Sequence, residues 1–75
     1  MPKLPQVNGR HVIRALEKTG WYIHRTRGSH VIMRHNQFPE RRVTIPVHPR
    51  PLKPYVLSKV LQQADLTVEE LNELL

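Results

Sequence analysis

The sequence predicts an α+β fold with helices laid on one face of a three-stranded antiparallel sheet. Apolar residues recur at helical spacing near the start (Val12, Ile13, Leu16) and again later (Leu57, Val60, Leu61, Ala64). Between these stretches, WYIHRTR, HVIMRH and RRVTIPVH are short runs rich in aromatic and β-branched residues. Only Gly28-Ser29 separates the first two runs, and such a pair closes a tight hairpin with glycine at its first central position.

The elements follow in order. Asn8 is a suitable N-cap for the first helix, and Thr19-Gly20 ends it. The hairpin comes next, then a longer turn at NQFPE, then RRVTIPVH with Val43, Ile45 and Val47 alternating onto one face. The proline-spaced HPRPLKP is a connector, and Pro54 suits the first turn of a second helix because its missing N–H costs nothing there. Thr67 and Glu70 have the spacing of a capping box for a short last helix bearing Val68, Leu71, Leu74 and Leu75. Laying all helices on one side is the cheapest way to bury their apolar faces together with one face of the sheet. The opposite sheet face is then left bare.

Size and composition limit what such a fold does. Residues 1–75 are expected to form a single domain, one small enough to bury only about two-thirds of its unfolded surface. Cysteine is absent, so there is no disulfide framework and no thiolate metal site. No apolar run approaches the roughly 20 residues of a membrane span, and MPKLPQVNGR lacks the apolar stretch of a signal peptide. A cytoplasmic protein with no membrane partner is the expectation. All twelve Lys and Arg lie at or before Lys59, where only Glu17 and Glu40 oppose them, a net charge of +10. The remaining residues carry −4 through Asp65, Glu69, Glu70 and Glu73. A basic body with an acidic tail suits a polyanion, most simply nucleic acid.

The hairpin indicates where that charge points. With Gly28-Ser29 as the loop, Arg27 faces His30 and Arg25 faces Ile32 across the strands, and cross-strand partners share a face. Alternation adds Ile23 and Arg34 to this face and sends Thr26, Val31 and Met33 to the other. On the third strand Arg42, Thr44 and His48 turn outward. The bare face should therefore carry four or five arginines and two histidines. Arginine forks bind phosphates, and imidazole exchanges protons near neutral pH. RNA brings its own nucleophile, the 2′-hydroxyl, so histidine and arginine together can supply the remaining needs of cleavage. The unremarkable readings are that Gly28 only makes the turn and that Ser29 is a loop residue or fixes His30. Trp21 belongs in the core, His11 and His24 have no partners, and His24, His30, His35 and His48 show no metal-ligand spacing, so neither metal nor other cofactor is expected.

Four segments taken together, VIRALEKTGW, RTRGSHVIMRH, VTIPVH and LKPYVLSKVLQQADLTVEELNELL, resemble the HicA toxin family of bacterial and archaeal toxin–antitoxin systems. The resemblance runs over nearly the whole chain. It implies a double-stranded-RNA-binding-domain-like fold and an mRNA interferase, a small endoribonuclease that cleaves messenger RNA until a HicB antitoxin neutralises it. The family's catalytic histidine, in its GSH motif, corresponds to His30. The resemblance also implies that any DNA contact comes through the antitoxin. Arg25, Arg27, Ser29, Arg34, Arg42 and His48 are expected to bind RNA, and Gly28 to make the turn. Tyr55 and Asp65 depart from the pattern, standing where family members often have glycine. The rival expectations are a non-catalytic RNA-binding module of the same fold and a purely structural partner whose basic face docks an acidic antitoxin.

Overall fold

Asn8 opens the first helix. In the computed structural model, which describes residues 3–75, Asn8 has extended backbone and its Oδ1 accepts a hydrogen bond from the His11 N–H at 3.1 Å. The helix, α1 (Gly9–Glu17), is followed by β1 (Trp21–Arg27), β2 (His30–His35), β3 (Arg42–Pro46), α2 (Pro54–Ala64) and α3 (Val68–Leu74). The strands form one antiparallel sheet in the order β1-β2-β3. Pro54 occupies the first turn of α2, and the Thr67–Glu70 capping box is formed in both directions.

The core lies between the sheet and the helices. Val31, Met33, Val43 and Ile45 alternate onto one sheet face, where they join Val12, Leu16, Leu57, Val60, Leu61 and Leu71 in one buried cluster. α1 packs on β1, β3 and α3, and α2 packs on β3. The expected helix-covered face and bare face are both present. Gly9 brings α1 close to β3, because a Cβ there would run into the carbonyl oxygen of Pro46.

Three expectations need correction. Ile23 does not share a face with Arg25: it pairs with Met33, on the core side, because the register shifts between Ile23 and Arg25 and leaves His24 as an extra residue. The cause is a conflict of parity. Trp21 must enter the core and Arg25 must stay out of it, yet in a regular strand residues four apart share a face. A bulge resolves this by switching the faces partway along the strand. Secondly, β3 ends at Pro46, so Val47 and His48 lie beyond it in the connector. The partner strand runs out there, because β2 begins at His30 and only Ser29 of the hairpin tip is left to receive the Val47 N–H. Finally, Leu75, grouped above with the apolar residues of the last helix, lies just past its end and is half-exposed.

A candidate site on the bare sheet face

Register near the hairpin tip decides which side chains meet. Gly28 carries a φ of +58° and Ser29 does not share the positive sign, as a glycine-first two-residue turn requires. Nothing lies within 4 Å of a Cβ built at Gly28, so the demand for glycine there comes from the backbone alone. The Val47 N–H donates to the Ser29 carbonyl at 2.6 Å, which ties the tip to the chain leaving β3.

The outward face then reads as three rows. Arg27, His30 and Pro46 form the first, Arg25, Ile32 and Thr44 the second, and Tyr22, Arg34 and Arg42 the third. His30 is on the central strand with a strand on each side, and its side chain is exposed. The side chains of Arg25, Arg27 and Arg42 are exposed and take part in no hydrogen bond or ion pair among the described residues, where the one ion pair is Arg41–Asp65 at 3.5 Å. Arg34 is half-buried and donates from Nη1 to the Pro39 carbonyl at 2.8 Å, which leaves the rest of its fork available. Arg34 and Arg42 stand directly opposite each other, a like-charge pair that costs stability. Such a face gains from a bound anion.

Of the residues singled out from the sequence, Arg25, Arg27, His30, Arg34 and Arg42 come together on this surface. Ser29 stands at its rim with its carbonyl engaged. His48 is exposed but apart, in a 460 Å³ cleft with Pro46, Arg50, Lys53 and Tyr55. The face therefore holds four arginines and one histidine. Arg41 is diverted: its guanidinium lies 5.0 Å from the Phe38 ring centre and reaches Asp65. The roomiest cleft described, 640 Å³, opens between α1 and the inner side of the hairpin and is lined by neither His30 nor the four arginines.

His35 has a role the sequence did not disclose. Its Nε2–H donates to the Thr19 carbonyl at 2.7 Å and its Nδ1 accepts from the Gln37 N–H at 3.0 Å. The ring stands edge-on to Trp21, 5.2 Å between centres, and a Cβ at Gly20 would meet it at 2.8–2.9 Å. This is a histidine that fastens the end of α1 to the end of β2. Among the described residues no three His, Asp or Glu side chains converge as a metal ion would require.

The fold and its bare arginine-bearing surface define a small α+β protein of double-stranded-RNA-binding-domain-like layout. Residues 9–66 match the sequence model of the family described as HicA toxin of bacterial toxin–antitoxin systems. The chain belongs to the HicA toxin family, and membership implies an antitoxin partner. The match runs from the start of α1 past the end of α2, leaving α3 outside it. No curated protein matches the sequence.

Proposed function

We propose that this chain is a cytoplasmic endoribonuclease that cleaves messenger RNA without a metal ion, with His30 as general acid/base. One observation carries the reading: His30 is exposed on the central strand of a bare sheet face, with Arg27 beside it and Arg25, Arg34 and Arg42 in the next two rows. The neutral imidazole takes the proton of the 2′-hydroxyl as its oxygen attacks the adjacent phosphorus. The arginines hold the phosphate backbone and offset the charge that builds on the phosphorane. The bond to the 5′ oxygen then breaks, and the leaving oxygen takes a proton from the imidazolium. The products are a 2′,3′-cyclic phosphate and a 5′-hydroxyl. Ser29 and His48 flank the RNA path, and a HicB-type antitoxin inhibits by covering His30 and its arginines.

A second reading has its own observation. Among the described residues the His30 side chain makes no hydrogen bond, whereas catalytic bases are commonly held by a partner. That favours a non-catalytic RNA-binding module. Incubating the protein with single-stranded RNA in EDTA, beside His30→Ala, separates the two. The nuclease yields cyclic-phosphate ends from the parent alone, with His30→Ala folded and inactive. Binding without cleavage by either protein selects the module, and a 5′-phosphate product or a need for Mg²⁺ rejects the proposed chemistry.

A further inference from the structure

Tyr55 is the most exposed of the large apolar side chains, at 71 %, although it sits in the first turn of a well-packed helix. Its surroundings give the exposure a use. The ring helps to wall two clefts at once: the 460 Å³ cleft that also holds Pro46, His48, Arg50 and Lys53, and a 360 Å³ cleft lined with Thr44, Lys59 and Gln63. Neither cleft contains an acidic residue. The side chains of Arg50, Lys53 and Lys59 are bound to nothing among the described residues.

We propose that Tyr55 is a base-stacking platform and that these two clefts form a subsite for a nucleotide of single-stranded RNA flanking the one at His30. The inference rests on the RNA-cleaving reading above and extends it. Placement supports it. Pro46 lines the first cleft and is the sheet partner of His30, one strand spacing or about 4.8 Å away. Thr44 lines the second cleft and belongs to the next outward row of the same face. A strand crossing His30 toward β3 thus descends directly onto Tyr55. The chemistry fits one occupant: a positively charged groove follows the backbone of single-stranded nucleic acid, and an aromatic ring within it stacks on any base. Arg50, Lys53 and Lys59 supply the charge, and Tyr55 supplies the ring. An apolar peptide would use the ring and leave three cations unmatched.

The subsite is tested by binding in the His30→Ala background, where the probe stays whole. The probes are a short single-stranded RNA and a set of the same RNA with each position abasic in turn. Tyr55→Ala should weaken binding of the intact RNA by about 10- to 100-fold, while Tyr55→Phe keeps it. One abasic probe should bind weakly to the Tyr55 protein and show no further loss with Tyr55→Ala. Arg50→Gln and Lys53→Gln should flatten the dependence of affinity on salt, and Tyr55→Ala should leave that slope alone. Exposure of the ring means that Tyr55→Ala keeps the core intact. Unchanged binding by Tyr55→Ala, or the same loss on every abasic probe, overturns the subsite and leaves the RNA reading standing. Failure of the Tyr55 protein to bind RNA at all defeats the RNA reading, and the subsite falls with it.

Discussion

His30 and His35 lie on the same strand yet have opposite surroundings. His30 is exposed with Arg27 and Pro46 on either side, and His35 is half-buried with both ring nitrogens engaged. Their substitutions should therefore separate cleanly. His35→Ala removes two hydrogen bonds worth about 0.5–1.5 kcal/mol each and an edge-on aromatic contact, a loss of about 2 kcal/mol. For a chain this small the thermal midpoint should fall by roughly 10 °C. Cleavage per folded molecule should not change at temperatures well below that midpoint. Melting curves beside single-turnover cleavage check both halves, and a His35 variant that is stable but inactive would place His35 in the chemistry. The outward placement of His30 was legible in the sequence because a turn and a strand period sufficed to fix it. His35 stayed hidden because its main partner, the Thr19 carbonyl, is sixteen residues earlier, and no local pattern signals it.

At the scale of elements, what could be read depended on whether the determinant was local. Caps, turns and helix faces are local, and Asn8, Pro54, Thr67–Glu70 and the buried stripe Leu57, Val60, Leu61 and Ala64 all stand as expected. The bulge at His24 is not local in this sense, since it answers a competition between Trp21 for the core and Arg25 for solvent. The conflict was nonetheless written in WYIHRTR, whose apolar and charged residues fit no single alternation. The C-cap of α2 shows a third case. Asp65 is left-handed, with φ 57° and ψ 44°, a position that glycine takes without strain. Strain relief on Asp65→Gly, of order 1 kcal/mol or more, is opposed by the greater freedom of an unfolded glycine and by loss of the exposed Arg41 ion pair. Each of these opposing effects is worth at most about 1 kcal/mol. The expected net is a gain of a few tenths to about 1 kcal/mol, whereas Asp65→Asn, which tolerates the same backbone but loses the ion pair, should stay within about 0.5 kcal/mol of the parent. Urea denaturation of both variants decides it. A loss on Asp65→Gly would mean that the freer unfolded glycine and the lost Arg41 contact together outweigh the backbone strain.

Across the whole molecule, the acidic side chains are kept off the bare sheet face, whose paired rows contain none. Glu69, Glu70 and Glu73 ride on α3, which packs against α1 in the helical layer and is tied to it by the Lys18 ammonium donating to the Leu74 carbonyl at 2.7 Å. None of these acids reaches Arg25, Arg27 or Arg42, so the bare face keeps its positive charge. Distance and salt keep the layers electrically apart as well. The molecule is 17 Å across its shortest extent, more than the roughly 10 Å screening length at 0.1 M salt. An arginine on the helical layer should therefore contribute little to a polyanion held on the sheet. Affinity for single-stranded RNA measured over a range of salt gives a slope that counts the phosphates neutralised, about 0.7 per contact. Arg25→Gln and Arg42→Gln should each lower that slope by about 0.7, while Arg14→Gln, on α1 among Ile13, Glu17 and Ile23, should leave it unchanged. All three positions are exposed, so the comparison is made between folded proteins. An equal drop for Arg14→Gln would mean that RNA wraps onto the helical layer, and the bare sheet face would lose its claim to be the binding surface.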